Sequence, residues 1–344
     1  MKAWFLDEPR KLRCAEIPEP RPKAGEALVR LKACGICGSD VHYYEAGRIG
    51  SYVVTGPLIL GHECSGEVVE VGPGVTRIAA GDRVAVEPGV PCGRCEWCRG
   101  GRYNLCPDVV FLATPPVHGA FRDLIAHRAD FLFKLPPELD YEQGAMIEPL
   151  AVGVYAASRA NLAFGDTVAV LGTGPIGVLT LQAARARGAG RIFAVDISGP
   201  RLELARRLGA DETINAATTS PVDAIRELTS GVGVDVCFET AGAVATTQLT
   251  VQLCRRGGKV ILVGLPPADE IPFPIVAAIA KEIDFLTIFR YANIFPKAIS
   301  LVASGRVRLE ELVTRRFRFG DIREAFEFAA AKSPTTMKVM VNWE

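Results

Sequence analysis

Four of the ten cysteines in this chain, Cys92, Cys95, Cys98 and Cys106, are spaced C-x2-C-x2-C-x7-C in a loop rich in Gly and Arg. Four thiolates at that spacing close a tetrahedral shell around zinc without leaving a vacant position, so this set pins a loop and does no chemistry. The competing reading, two disulfides, needs an oxidising compartment. A second set is scattered: Cys37 in C-G-I-C-G-S-D, His62 and Glu63 in L-G-H-E, and Glu148 in I-E-P-L. Thiolate, imidazole and carboxylate are all good zinc ligands, and a mixed shell suits a catalytic metal with an exchangeable position. Spacing alone does not make these four converge, because a single His is usually a hydrogen-bonded structural residue.

A third pattern, V-A-V-L-G-T-G-P-I-G, carries Gly172, Gly174 and Gly177 from the end of a predicted strand into a predicted helix. There the glycines allow a tight turn, backbone approach to a diphosphate and close helix–strand packing. The helix start, with Pro175 and Ile176, favours the anion. Asp196 ends the next predicted strand, at the distance where a carboxylate accepts from the adenosine ribose hydroxyls and repels a 2′-phosphate. NAD is therefore expected over NADP, although Arg201 lies within reach of the ribose edge.

The elements that must position these groups fall into two textures. The first half is rich in Gly, Pro and short β-branched runs (A-L-V-R-L, G-E-V-V-E-V, R-V-A-V) and reads as strands and turns rather than helices. From Asp166 onward, apolar strands alternate with amphipathic helical stretches, the pattern of a parallel sheet with crossover helices. Six strands are predicted: Thr167–Leu171, Arg191–Asp196, Glu212–Ile214, Val234–Glu239, Lys259–Gly264 and Asp284–Phe289. Six is the count of a doubly wound dinucleotide fold. The fold class is thus α/β with two domains, 1–151 plus 290–344 and 152–289, as a length of 344 residues also favours.

Composition excludes some partners. Lys+Arg and Asp+Glu are both 39, which leaves no net charge to draw nucleic acid or an anionic membrane. Arg315, Arg316 and Arg318 read as a solvated face. Asp7 and Glu8 interrupt the N-terminus before a signal-peptide core forms, and no run of 18 apolar residues occurs; a cytoplasmic protein is expected. Cys14, Cys34, Cys64, Cys237 and Cys254 are expected as buried small hydrophobes. His118 and His127 are expected to be hydrogen-bonded or solvated.

G-H-E, G-D-R-V, the four-cysteine lobe and G-T-G-P-I-G follow one another as in the zinc-containing medium-chain dehydrogenases, which the chain resembles over essentially its whole length. Within that group Y-E-A-G-R-I-G, G-R-Y-N-L-C, A-T-P-P, I-E-P-L and F-R-Y resemble the sorbitol (polyol) dehydrogenase branch. The resemblance implies a GroES-like β-rich catalytic domain joined to a Rossmann domain. It makes Cys37, His62 and Glu63 the catalytic zinc positions, with Glu148 either a direct ligand or the holder of a metal-bound water. Ser39 and His42 match the family's proton relay to solvent, and a water oriented by Glu148 is the competing base. Tyr43, Phe111, Arg290 and Tyr291 match positions lining a polyol pocket, with core packing the alternative for the first two. The implied reaction is zinc-assisted hydride transfer from a secondary hydroxyl to NAD, in a homotetramer. L-threonine 3-dehydrogenase shares the ligand pattern, and a non-catalytic NAD-binding structural protein is the reading from another class; the presence of every ligand position speaks against the latter.

Overall fold

The computed structural model describes residues 1–266, 268 and 270–343, and they fall into two compact units. One comprises Met1–Glu148, Phe295–Ala303 and Leu309–Glu344; the other comprises Pro149–Ile294 and Ser304–Arg308. Arg290 and Tyr291 thus belong to the second unit. The helix Tyr141–Arg159 carries the chain from one unit into the other, with Pro149 inside it.

In the first unit, alternating apolar runs form a seven-stranded sheet. Its order is Leu132–Lys134, Arg83–Val86, Glu63–Val71, Glu26–Ile36, Lys338–Asn342 and Val313–Arg318, with Leu124–Arg128 also pairing on Glu26–Ile36. The long strand Glu26–Ile36 is buried at eight of its eleven positions, with Arg30 exposed, so its burial does not simply alternate. Its inner face packs with Trp4, Leu6, Phe121 and Phe326 into one core. A three-stranded sheet of Lys11–Glu16, Lys2–Glu8 and Leu58–Ile59 flanks it. Cys14 lies on the outermost of those strands and is exposed, contrary to the expectation of a buried thiol; an edge strand has a solvent side. Cys34, Cys64, Cys237 and Cys254 are buried. The arginine run sits on the outer strand Val313–Arg318, where Arg315, Arg316 and Arg318 are exposed.

The first half is not free of helix. Gly38–Ala46 is helical, because Asp40, three residues after the N-cap Cys37, accepts the Cys37 N–H at 3.0 Å and so satisfies one of the end groups.

The second unit is a six-stranded, all-parallel sheet in the order Glu212–Asn215, Arg191–Asp196, Thr167–Leu171, Val234–Glu239, Cys254–Leu262, Asp284–Thr287. By sequence position this is 3-2-1-4-5-6, the doubly wound dinucleotide order. Thr167–Leu171, Arg191–Asp196 and Val234–Glu239 coincide with the predicted strands. Two ends differ. The fifth strand stops at Leu262 rather than Gly264, because the N–H groups of Val263 and Gly264 turn to the Glu239 carbonyl. The sixth stops at Thr287 rather than Phe289, since its partner ends opposite it at Leu262.

Candidate active site

Cys37 follows the strand Glu26–Ile36 and caps the helix Gly38–Ala46, while His62 immediately precedes the strand Glu63–Val71, which Glu63 opens. Those two strands are antiparallel neighbours, so residues far apart in sequence meet at one end of the sheet. One sulfur, one imidazole nitrogen and one carboxylate oxygen of Cys37, His62 and Glu63 lie within 4.8 Å of one another. Two glycines make room. A Cβ at Gly35 would sit 2.2 Å from Glu63 Oε2, and one at Gly61, already at φ +88°, would meet the Phe121 ring at 2.9 Å.

Asp40, which carried no role in the sequence reading, holds this cluster together. It is fully buried; Oδ2 accepts from Cys37 N, Oδ1 accepts from Gly61 N at 2.9 Å, and Oδ1 lies 3.5 Å from His62 Nδ1. A carboxylate on one ring nitrogen orients the imidazole and leaves the other for a metal. Burial works against the imidazolium, but Asp40 and Cys37 outweigh it and hold His62 well above the ordinary histidine range. Lys338 was also unassigned. Its Nζ is 2.7 Å from each Glu63 oxygen and 3.3 Å from the Ile36 carbonyl, with both side chains buried.

Glu148 is buried on the helix Tyr141–Arg159, and its charge acts on Lys338, Cys64 and Glu87, but it is not one of the three clustered donors. Glu87 is buried too. Its Oε1 accepts from the Tyr103 hydroxyl at 2.6 Å, and desolvation raises its pKa to about 7. Phe111 packs near His62, ring centroids 5.7 Å apart. Tyr43 is buried on the helix after Cys37; Ser39 on the same helix is half-buried and His42 exposed. His127 Nε2 donates to the Glu87 carbonyl at 2.8 Å, and His118 Nδ1 accepts from Ile59 N. Neither joins the clustered donors.

The four remaining metal-like cysteines also converge. The Cys95 and Cys98 sulfurs are 3.4 Å apart, Cys92 and Cys98 4.0 Å, and Cys92 N donates to the Cys106 sulfur at 3.4 Å. Tetrahedral zinc with bonds of about 2.3 Å sets its sulfurs about 3.8 Å apart, so this cluster fits a structural zinc. The backbone N–H groups of Arg94 and Cys95 lower the Cys92 pKa to about 6.

In the second unit the glycine turn follows the first strand. Gly172 has φ +90°, a Cβ on Gly177 would fall 1.9 Å from the Gly172 carbonyl oxygen, and a Cβ on Gly174 would meet nothing within 4 Å. Turn, packing and open approach are thus divided among the three, as a diphosphate site requires. Asp196 Oδ2 accepts from Thr173 N and Oγ1 at 2.6 and 2.9 Å, and Oδ1 accepts from Ser198 N. Pro175 and Ile176 open the helix Pro175–Ala186, and Arg201 is half-buried on the helix Gly199–Arg207. Arg290 has φ +53° and lies over the Phe289 ring at 4.9 Å; Tyr291 is buried.

Comparison with known proteins agrees with both halves. The family described as alcohol dehydrogenase GroES-like domain matches residues 23–137, and zinc-binding dehydrogenase matches 175–304. The chain is 48% identical to sorbitol dehydrogenase of Bacillus subtilis over 99% of its length and 97% of that protein. It is 44% identical to sorbitol dehydrogenase of Gallus gallus over 96% and 93%. A solved Escherichia coli structure, an oxidoreductase/dehydrogenase of unknown specificity, superposes with a TM-score of 0.96 at 38% identity, covering 100% of this chain and 99% of that one. The chain belongs to the zinc-binding medium-chain dehydrogenases, in their sorbitol dehydrogenase branch. No helix among the described residues is long and apolar enough to cross a membrane.

Proposed function

We propose that the chain oxidises a secondary hydroxyl of a sorbitol- or xylitol-like polyol to the ketose with NAD. The single observation that carries this is the convergence of half-buried Cys37 with buried His62 and Glu63. Cys37 and His62 would hold the catalytic zinc, which would supply Lewis acidity to a substrate hydroxyl. The Gly172–Gly177 turn would hold NAD, which would supply the hydride acceptor. Asp40 keeps the His62 ring aimed. Lys338 compensates the Glu63 charge, which supports a Glu63 that neighbours the metal without surrendering its ion pair. Glu148, outside the clustered trio, is read as the residue that orients a water or substrate hydroxyl. Ser39 half-buried and His42 exposed on one helix give a proton an inside and an outside station. Tyr43, Phe111, Arg290 and Tyr291 are read as lining the polyol subsite. The first unit is the catalytic domain and the second the coenzyme domain.

A cytoplasmic homotetramer belongs to this reading. All ten cysteines are free, as in a reducing compartment. Among the described residues the strand Asp284–Thr287 pairs on one side only, and the neighbouring helix Ile275–Lys281 exposes Val276 and Ile279 at 78% and 72%. Like strands pair across a two-fold axis, which closes such an edge.

The test is a panel of sorbitol, xylitol, galactitol and L-threonine with NAD and with NADP, before and after chelation. Polyol turnover with NAD, lost on chelation and restored by zinc, is expected. Preferred turnover of L-threonine, or preference for NADP, refutes the assignment.

A further inference from the structure

Outside the metal cluster, one buried carboxylate, that of Glu239, is held by several donors at once. Glu239 ends the strand Val234–Glu239, in register with Leu171 at the end of the first strand, and is 1% exposed. A carboxylate removed from water is costly unless donors replace the solvent. Oε1 accepts from Ala241 N and Gly242 N, each at 3.0 Å, and from Thr246 Oγ1 at 2.7 Å. Oε2 accepts from Gly242 N at 3.2 Å. The carboxylate therefore winds the following residues, Thr240 to Gly242, into a tight loop around itself. The turn after the strand Cys254–Leu262 leaves space for it at Gly264, where a Cβ would lie 2.7 Å from Oε2 and 2.2 Å from Gly242 N.

That loop grips the glycine turn. Thr240 N and Oγ1 both donate to the Leu171 carbonyl at 2.9 Å, and Oγ1 lies 2.7 Å from the Gly172 carbonyl. Ala241 presses from the other side: a Cβ on Gly172 would meet its Cα and N at 2.9 Å. A Cβ on Gly177 would meet Thr240 Oγ1 at 2.7 Å. The backbone of the turn is thus set by its neighbour loop as well as by its own glycines.

We propose that Glu239 is a positioning residue for the coenzyme: its carboxylate fixes Thr240–Gly242, and that loop holds Gly172–Gly174 in the shape that receives the diphosphate. The inference rests on the dinucleotide reading of the second unit and adds a residue outside the glycine fingerprint. A carboxylate offers acceptors only, whereas an amide turns a donor toward one of the N–H groups it must bind. Glu239→Gln keeps the volume and breaks that pattern.

The experiment measures binding of NADH and of ADP-ribose to the zinc-loaded protein by calorimetry, with thermal melting alongside. Glu239→Gln is expected to weaken both ligands by the same factor, roughly ten-fold, the size of one lost buried hydrogen bond to a charged group. The polyol KM at saturating NAD and the zinc content stay at the wild-type values. Thr240→Val, which keeps the carboxylate, weakens both ligands too, and the double variant loses less than the product of the two factors because both act through one loop. Three results overturn the proposal: a lower melting temperature with unchanged NADH affinity, NADH weakened while ADP-ribose is not, or fully multiplicative losses. Wild-type protein that binds neither ligand would instead overturn the dinucleotide reading beneath it.

Discussion

Lys338 closes on Glu63 across the sheet, its Nζ 2.7 Å from both carboxylate oxygens, with neither residue more than 3% exposed. Burial alone lowers a lysine pKa, but Glu63 outweighs it and raises that of Lys338. An ion pair this dry matters most when one partner is removed, because the other is left charged and unsolvated. Lys338→Met is expected to cost about 3–5 kcal/mol of unfolding free energy. Adding Glu63→Gln should recover most of that loss. Denaturant melts of the two single variants and the double variant check this, and losses that simply add would dismiss the coupling.

His127 is buried, and desolvation lowers its pKa to about 4, below the ordinary histidine value of about 6.5. The unfolded chain takes up a proton below about pH 6.5 that the folded chain refuses until about pH 4. Stability is therefore untouched by this group above pH 6.5 and falls as pH drops through that window, by about 3 kcal/mol in full. His127→Gln retains an N–H donor for the Glu87 carbonyl and should flatten the acid limb of a stability–pH profile. An unchanged limb would show that other groups set it.

Arg290 stands in the left-handed region over the Phe289 ring in the second unit. If its guanidinium meets polyol hydroxyls, Arg290→Ala should raise the polyol KM by about ten-fold or more, the loss of a charged hydrogen bond, while zinc content stays constant. Kinetics like those of the wild type would take Arg290 out of the subsite.

Ile279, at 72% exposure on the helix Ile275–Lys281, is the residue on which the assembly reading depends most. Ile279→Glu should shift the sedimenting species toward smaller assemblies with the far-UV spectrum intact, since a buried charge at a two-fold contact meets its own copy. A chain that sediments unchanged would move the interface elsewhere.

Much of this was legible in the sequence. The strand–glycine–helix passage through Gly172, Gly174 and Gly177, three strand boundaries of the second unit and the Cys92–Cys106 lobe depend on neighbours within a few residues, where periodicity and spacing act directly. The short helix after Cys37 was missed although its signal was present, in an acid three residues past the cap. Cys14 was misplaced because an apolar residue on a strand does not say whether that strand is an edge.

By itself the sequence determined which residue types were available for metal and coenzyme, and where the coenzyme turn had to lie. Only the tertiary structure decided which buried groups meet: Asp40 behind His62, Lys338 on Glu63, the Glu239 loop on Gly172. Strand register joins Lys338 to Glu63, Asp40 reaches His62 from the helix that follows Cys37, and the Glu239 loop depends on two parallel strands ending level. Register is a property of the assembled sheet. It is fixed by the burial of whole faces, so no local window of residues contains it.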